Sequence, residues 1–435
     1  MADFEIFDWS VRDHAGFRHL QIRWRLPSGW REFEFSFPDE LGEPTSEDLA
    51  DAMLPLSLFT AMKHGWSLSL PRPVSAQLLA RQPGSQEIAA SWFHGFNEIP
   101  VSASPRTLSF SGGERRPGIA AAFTSGVDSL LTALDHREEL DFLVFVQGYG
   151  PPDELNEGSF AQEAAHIRRV AGRLGLPWHL VRTTYRVGEE ICAPWMENHG
   201  ACLAALGLML GNRIGTFLLP SSRSWATQIP WGSSHWLDER WSTERVRIRL
   251  DALRYSRVQK LARMVKLYPE FVPEILVCVG DASGSTVLNC GQCEKCLRTM
   301  CCLALSGWEQ WEGVFKQPLD LDRVGKLKII GPPHQDEWRN ILKYGEAHVP
   351  NHPVVGALRQ VAANIGMRKL LKLVGDHDGE LPDGPELAKF CRVLRDDLWQ
   401  SWSAHQGGWL RKQMLSFAES RPAQVLKAVF GKETL

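Results

Sequence analysis

The sequence predicts an α/β protein with a central parallel sheet, an N-terminal α+β region and a C-terminal helical region. Three observations support this fold class. Apolar segments typical of strands alternate with helical patterns between residues 116 and 305, as in parallel sheets covered by helices. A polar loop joins the first of these strands to a helix. Four cysteines near the end of the same region have the spacing of zinc ligands.

Residues 1–115 are predicted to form an accessory α+β domain. Residues 31–37 alternate between polar and apolar side chains, which is typical of a half-buried strand. Thr45 and Asp48 have the spacing of a capping box, so a helix is expected to begin there. Gly65 suits the end of that helix, because glycine accepts the left-handed backbone found at such ends.

Residues 116–305 are predicted to form the central domain. The candidate strands are residues 119–123, 142–146, 179–181 and 216–219. The helices are expected at about 128–136, 159–174 and 197–211. In sheets of this kind, ligands bind at the carboxyl ends of the strands. The polar loop and Gly148 both follow predicted strands, so they should lie at that edge.

The polar loop between the first predicted strand and its helix is a candidate anion site. The first N–H groups of a helix lack intrahelical partners, and the helix dipole adds positive potential. Gly126 permits close approach of the backbone to a phosphate, and Thr124, Ser125 and Ser129 add hydroxyl donors. The other interpretation is an ordinary strand–helix turn in which Asp128 and Ser129 cap the helix.

A cluster of cysteines follows about 150 residues after the loop. The candidate ligands are Cys278, Cys290, Cys293 and Cys296. Four thiolates close a tetrahedral zinc site, and two-residue spacers let one tight turn present successive sulfurs to the ion. An iron–sulfur cluster and disulfides are the alternatives. Cys301 or Cys302 is an alternative fourth ligand in place of Cys278.

The loop resembles the SGGxDS signature of the PP-loop ATP pyrophosphatases. Gly126, Asp128 and Ser129 match the signature, whereas Thr124 replaces its first serine and Ser125 its first glycine. The resemblance implies a parallel sheet of the PP-loop (HUP) type, with ATP and Mg²⁺ as cofactors and Asp128 helping to position the metal. The residues that would bind ATP are Thr124, Ser125, Gly126, Val127, Asp128, Ser129 and Gly148.

The order of loop and cysteine cluster resembles the 7-cyano-7-deazaguanine synthases (QueC). The match includes the CGxCxxC pattern that begins at Cys290, and it covers roughly residues 116–305. Longer chains of this kind resemble the QueC-like proteins encoded in bacterial anti-phage defence islands. The resemblance implies a carboxylate substrate, 7-carboxy-7-deazaguanine or a relative, that attacks ATP to form an acyl-adenylate and then reacts with an amine.

Several functions remain open at this point. The amine is either ammonia, which gives a free 7-cyano-7-deazaguanine synthase, or the N-terminus of a partner protein, which gives a conjugate. The terminal regions favour a partner protein, because ammonia needs no docking surface. A nucleotide-binding adaptor without catalysis is a third hypothesis. A tRNA-thiolating relative is a fourth, and it needs a reactive cysteine such as Cys192 or Cys202.

Three basic residues are further candidates for contact with the substrate or with the phosphates of ATP. Arg223 follows a predicted strand and can grip a carboxylate or phosphate with two hydrogen bonds, although a surface salt bridge is the alternative. Arg257 stands where the family has a lysine before a helix, and the resemblance implies that it neutralises charge on the α-phosphate. Lys260 has the same candidate role, and a solvated helix face is the expectation favoured for it.

Composition points to a soluble enzyme. The net charge of −3 gives no general attraction to nucleic acid, and no apolar run reaches the 18 residues of a membrane span. The acidic N-terminus is unlike a secretory signal, so a cytoplasmic location is expected. Residues 306–435 are predicted to form a helical domain, with helices near 367–374 and 387–394. A homodimer is a possible assembly.

Overall fold

The computed structural model describes residues 3–106, 118–149, 157–187, 191–278 and 287–376. The chain divides into two compact units. The first contains Met1–Cys290 and Glu312–Lys316, and the second contains Gly291–Trp311 and Gln317–Leu435. The predicted domain boundary at residues 115/116 and the predicted helix at 387–394 lie outside the described residues.

Within the described residues, the first unit contains one ten-stranded sheet. Its strands are β1 (Asp3–His14), β2 (Phe17–Leu26), β3 (Gly29–Pro38), β4 (Ser67–Ser75), β5 (Val101–Arg106), β6 (Gly118–Ala122), β7 (Phe142–Gln147), β8 (Trp178–Thr183), β9 (Ile214–Pro220) and β10 (Arg247–Asp251). Their spatial order is β10-β9-β6-β7-β8-β3-β2-β1-β4-β5. Most neighbouring pairs are parallel, which confirms an α/β fold with a mostly parallel sheet.

The parallel half of the sheet, β6 to β10, carries the loop predicted to bind phosphate. The helices of this half are α3 (Val127–Asp135), α4 (Glu157–Leu174), α5 (Trp195–Met209), α6 (His235–Asp238) and α7 (Arg257–Leu267). Strands β6 and β7 are almost wholly apolar, as expected for strands that are covered on both faces. The four strands and three helices predicted between residues 119 and 219 all appear within two residues of the expected bounds.

The N-terminal half of the sheet joins the parallel half edge to edge. Strands β1, β2 and β3 form an antiparallel meander, and β3 pairs antiparallel with β8 at Phe35–Thr183 and Ser36–Arg182. Residues 1–115 and 116–305 therefore contribute to the same sheet. The predicted strand at residues 31–37 lies within β3 and is confirmed.

Two helices pack on the N-terminal half, α1 (Ser46–His64) and α2 (Ala76–Trp92). The predicted capping box is confirmed: the Thr45 hydroxyl accepts from the Asp48 N–H, and the Asp48 carboxylate accepts from the Thr45 N–H. Gly65 follows α1 with φ of 66°. Helix α1 is buried on every side, and its side chains share one apolar core with those of α5 and β9.

The described part of the second unit is helical. Its helices are α8 (Glu294–Leu305), α9 (Leu321–Gly325), α10 (Pro332–His348) and α11 (Pro353–Asp376). The predicted helix near residues 367–374 lies within α11 and is confirmed. Among the helices that the structure describes in both units, none has the length and apolar character needed to cross a bilayer.

Candidate functional site

The candidate phosphate loop lies where the order of the parallel strands reverses. Read along the sheet as β8-β7-β6-β9-β10, these strands have the 3-2-1-4-5 order of doubly wound nucleotide-binding folds. The reversal falls between β6 and β9, and ligands bind in the crevice outside the carboxyl ends of such strands. Thr124 follows β6 and Ser221 follows β9, so the two residues lie on either side of this crevice.

The loop is held in shape by its own hydroxyl groups. The Ser129 Oγ accepts from the Thr124 N–H at 3.1 Å and lies 3.2 Å from the Thr124 Oγ1. The Gly126 N–H donates to the Thr124 Oγ1 at 3.4 Å. Gly126 is the N-cap of α3, so the N–H groups of the first turn of α3 open onto the loop. This is the arrangement that the anion-site interpretation requires.

Ser125, the residue at the glycine position of the signature, points away from the loop. Its side chain is fully buried, and its Oγ donates to the Glu274 carbonyl oxygen at 2.7 Å. The Leu276 N–H in turn donates to the Ser125 carbonyl oxygen at 2.9 Å. Ser125 has φ of 57°, in the left-handed region that glycine adopts most readily. The two hydrogen bonds offset the cost of that backbone conformation.

Asp128 forms ion pairs with two cations of α7. Its Oδ2 accepts from the Arg257 Nη2 at 2.7 Å, and its Oδ1 accepts from the Lys260 Nζ at 2.8 Å. The Lys260 side chain is fully buried, and its ammonium also donates to the Ser221 carbonyl oxygen. The expectation of a solvated face for Lys260 is therefore wrong. We call Asp128, Arg257 and Lys260 the cation cluster.

Local sequence places both cations of the cation cluster on one side of α7. Ser256 is the N-cap of this helix, and its N–H donates to the Gln259 Oε1 at 2.9 Å in a capping box. Arg257 and Lys260 are three residues apart in the first turn, so they project from neighbouring positions. The helix start therefore presents two positive groups to α3.

The cation cluster brings two basic side chains and the Asp128 carboxylate together at the start of α3. The N-terminal end of the helix dipole adds positive potential there. An anionic phosphate chain fits this environment. Both oxygens of Asp128 accept from cations in this arrangement, and its expected role in positioning Mg²⁺ stays a prediction. Its role in the geometry is to position Arg257 and Lys260.

Gly148 has a structural reason to be glycine. It follows β7 with φ of 101°, and a Cβ atom there would lie 1.9 Å from the Thr183 carbonyl oxygen. Packing against the end of β8 therefore accounts for this residue. Its predicted role in binding ATP stays a prediction.

Arg223 lies in the segment after β9 and is half-buried. Its Nη1 donates to the Thr227 carbonyl oxygen at 3.2 Å, and its Cζ lies 5.8 Å from the centre of the Trp231 ring. The Ser221 Oγ donates to the Arg223 carbonyl oxygen at 2.6 Å. The backbone of Arg223 is therefore two residues from the Ser221 carbonyl that binds Lys260.

The four predicted cysteine ligands lie together. Their Sγ atoms are all within 4.8 Å of one another, with Cys278 and Cys296 buried and Cys290 and Cys293 half-buried. Four thiolates in this arrangement suit a tetrahedral metal such as zinc. Cys301 and Cys302 are buried in α8 outside the cluster, and burial raises the pKa of the Cys301 thiol. No disulfide joins the cysteines that the structure describes.

Asn289 is a supporting residue that the sequence analysis missed. Its Nδ2 donates to the Ile275 and Val314 carbonyl oxygens at 2.7 and 3.1 Å. Its Oδ1 accepts from the Val277 and Cys278 N–H groups at 2.9 and 3.2 Å. These four bonds fix the backbone next to the first cysteine. A single asparagine before a cysteine carries no recognisable pattern, so only the structure reveals this role.

Cys192 and Cys202, the candidates for the reactive thiol of a thiolating enzyme, are both buried. Burial is the main cause that raises the pKa of the Cys202 thiol, and the nearby Cys192 raises it further. A thiol of this kind is inert at neutral pH, which counts against the thiolation hypothesis.

No family model, curated protein or solved structure is significantly similar to this chain.

Proposed function

We propose that this chain is an AMP-forming ligase of the PP-loop type, which adenylates a carboxylate with ATP and passes the acyl group to an amine. One observation carries the proposal: Asp128 at the start of α3 pairs with Arg257 and Lys260, and Lys260 also binds Ser221 at the end of β9, the strand next to β6. This is the position at which doubly wound sheets bind nucleotides. The lysine of the other common phosphate loop, GxxxxGK[ST], is absent from this sequence.

The residues of the site suit the proposed reaction. A carboxylate oxygen of the substrate forms a bond to the α-phosphorus of ATP, and the bond from that phosphorus to the bridging oxygen of pyrophosphate breaks. The loop N–H groups and the Thr124 and Ser129 hydroxyls hold the pyrophosphate, and Arg257 and Lys260 stabilise charge that develops on the phosphate oxygens. Mg²⁺, bound to the ATP phosphates, supplies further neutralisation.

The second half of the proposed reaction needs an amine. The amine nitrogen attacks the acyl carbon, AMP leaves, and the amine loses a proton. By resemblance, the acid is 7-carboxy-7-deazaguanine or a close relative, and the amine belongs to a partner protein in anti-phage defence. The cysteine cluster enters this proposal as a structural zinc site, since four thiolates leave no open coordination position for catalysis.

The proposal is tested by incubating the protein with ATP, Mg²⁺ and 7-carboxy-7-deazaguanine while measuring AMP and pyrophosphate. Asp128→Asn should lower AMP formation about 100-fold, because it releases two cations that stabilise transferred charge. Asp135→Asn is a matched control. It breaks the ion pair between Asp135 and Arg263, which joins the same two helices away from the loop, and it should keep nearly full activity.

The outcomes separate the competing functions. Failure to form AMP with any deazaguanine acid rejects the ligase proposal, and nucleotide binding without turnover then favours an adaptor. If AMP forms, mass spectrometry of proteins co-expressed from neighbouring genes decides the acceptor. A mass increase at a protein N-terminus supports conjugation. Release of the free amide with ammonia, and of 7-cyano-7-deazaguanine once a second ATP-dependent activation removes water from that amide, supports the free synthase.

A further inference from the structure

Glu274 contacts both the candidate phosphate loop and one face of α4. It is the last residue of a short 3-10 helix, Pro269–Glu274, that follows α7. Its side chain is only 6% exposed, although glutamate side chains usually lie in water. Its carboxylate and its backbone carbonyl oxygen both accept hydrogen bonds, and the two groups have different sets of partners.

The Glu274 carboxylate is bound by two arginines of α4. The Arg169 Nη1 donates to the Glu274 Oε1 at 3.0 Å, and the Arg169 Nη2 lies 2.7 Å from the Oε2. Arg173 donates to the same Oε1, and its Cζ lies 5.1 Å from the centre of the Phe271 ring. Burial alone would raise the pKa of the Glu274 carboxyl, but the two arginines outweigh burial and hold the pKa below its usual value. The carboxylate is therefore charged at neutral pH.

The Glu274 carbonyl oxygen accepts from the loop and from α4. The Ser125 Oγ donates to it at 2.7 Å, and the His166 Nε2 donates at 3.0 Å. Because a carbonyl oxygen only accepts, the proton of the imidazole lies on Nε2. The His166 Nδ1 is then free to accept from the Arg169 Nη2 at 3.1 Å. Burial lowers the pKa of His166, which keeps the ring in the neutral form that both bonds require.

Sequence spacing places the three contact residues of α4 on one face of the helix. His166, Arg169 and Arg173 are separated by three and four residues, and side chains at this spacing are neighbours on a helix surface. Ile167 and Val170 of the same helix are fully buried. Helix α4 is therefore fixed by its apolar side chains, while its polar face binds the buried carboxylate and carbonyl.

Ser125 is the point at which this arrangement reaches the loop. Its Oγ donates to the Glu274 carbonyl oxygen, and its own carbonyl oxygen accepts from the Leu276 N–H at 2.9 Å. Burial of an ion pair adds little net stability, because desolvation of the charges offsets their attraction. Two arginines on one carboxylate do fix its position and direction. The consequence of these contacts is a defined geometry for the loop.

We propose that Glu274 is a positioning residue for ATP, which holds the candidate phosphate loop in the shape that binds the pyrophosphate part of the nucleotide. This inference rests on the proposed ligase function. Glu274 acts through Ser125 and does not itself touch the nucleotide. Without its anchor on α4, the loop should adopt its binding shape for only part of the time, and the apparent affinity for ATP falls by that fraction. Saturating ATP restores the shape, so kcat should change little.

The first experiment measures KM for ATP, KM for the acid and kcat in the full-length protein, with 7-carboxy-7-deazaguanine as the acid. Glu274→Ala should raise KM for ATP at least about fivefold, while kcat and KM for the acid stay within about twofold. A residue that only stabilises the fold would lower kcat through loss of active protein and leave KM for ATP unchanged. That result, or three unchanged constants, would overturn the proposal.

Two adjacent arginines of α4 keep the test decisive if Glu274→Ala fails to fold. Arg169→Leu removes one of the two cations and should raise KM for ATP about threefold, since Arg173 still binds the carboxylate. Arg169→Lys keeps a positive charge and should restore most of the loss. Arg168→Leu is the matched control, because Arg168 is exposed and, within the described residues, does not contact Glu274. Equal effects of Arg168→Leu and Arg169→Leu would reveal a general charge effect and overturn the proposal.

Hydrogen exchange of the ligand-free protein distinguishes failure of this inference from failure of the proposed function. It measures local opening of the backbone and needs no turnover. In Glu274→Ala, exchange should become about tenfold faster in the peptide that covers residues 124–129 and stay unchanged in β3. Faster exchange in this peptide alone supports the positioning role, even if no AMP forms and the ligase proposal fails. Unchanged exchange there rejects the positioning role, and AMP formation by the wild type would then leave the ligase proposal standing.

Discussion

Ser125 shows how a departure from a family signature is accommodated by one residue. Sequence comparison places a side chain where the PP-loop signature has glycine, which suggests a crowded loop. In the structure the side chain turns away and binds the Glu274 carbonyl, so the loop retains a glycine-like backbone. A distant acceptor 149 residues along the chain is invisible to any local pattern.

Two substitutions separate the backbone conformation of Ser125 from its hydrogen bond. Ser125→Ala keeps the left-handed strain and loses the bond, so the free energy of unfolding should fall by about 1 kcal/mol. Ser125→Gly loses the same bond but relieves the strain, and its unfolding free energy should match the wild type within about 0.5 kcal/mol. Urea unfolding measures both, and equal losses in the two variants would contradict this account.

Asp238 gives the protein a pH-dependent stability. The side chain is fully buried, its Oδ2 accepts from the Ser233 Oγ at 2.6 Å, and its Oδ1 has no hydrogen-bond partner among the described residues. Burial raises the pKa of this carboxyl from 3.8 to about 7. The folded state therefore keeps a proton that the unfolded state releases, so stability falls as pH rises from about 4 to 7.

Asp238→Asn should reduce that pH slope and stabilise the protein at pH 8 by roughly 3 kcal/mol. The measurement is the unfolding free energy between pH 5 and 8. Glu239→Gln, at the adjacent half-exposed residue, should leave the slope in place. A variant with the wild-type slope would show that another group is responsible.

At the scale of elements, the candidate site was predictable where it depends on short motifs. The loop before α3 and the cysteines before and within α8 are found from spacing alone. The partners of Asp128 could not be found from spacing, because they come from a helix that begins 129 residues later. A charged lysine near a helix start usually faces water, and only the packing of α7 against α3 shows that Lys260 is buried.

The segment from Glu274 to Cys278 links the cysteine cluster to the candidate phosphate loop. Leu276 donates to Ser125, and Cys278 follows two residues later with its N–H bound to Asn289. A metal held by Cys278 would therefore restrain the segment that supports the loop. Binding of ATP and of zinc should be coupled, and such coupling is reciprocal.

Cys278→Ser should raise the Kd for ATP at least about fivefold by calorimetry, under conditions where the chain stays folded. Added ATP should also slow the removal of zinc from the wild-type protein by a chelator. Cys301→Ser changes a buried cysteine outside the cluster and serves as the control. An ATP affinity that is independent of both zinc and Cys278 would rule out the coupling.

At the scale of the whole molecule, the sequence predicts the parallel half of the sheet but not its extension. Alternating strands and helices identify β6 to β9, because each pattern is local. Strand β10 is only five residues long with two arginines, and it was missed. The pairing of β3 with β8 joins distant segments through two residue pairs. Local periodicity in the sequence does not predict such a contact.

Because the two halves of the sheet share one core, residues 116–435 should not fold without residues 1–115. The truncated chain is expected to bind the dye ANS and to lack a cooperative melting transition, as chains with incomplete packing do. The full-length protein under the same conditions is the control. Cooperative melting of the truncated chain would show that residues 1–115 form an independent domain.

The β3–β8 pairing also has a consequence for synthesis on the ribosome. Strand β3 is complete roughly 150 residues before Thr183 emerges, which is on the order of 10 s at ordinary elongation rates. During that interval the nascent meander presents an open edge to other chains. Glu32 and Glu34 alternate along this edge with buried phenylalanines, and charges at such positions discourage association between nascent chains.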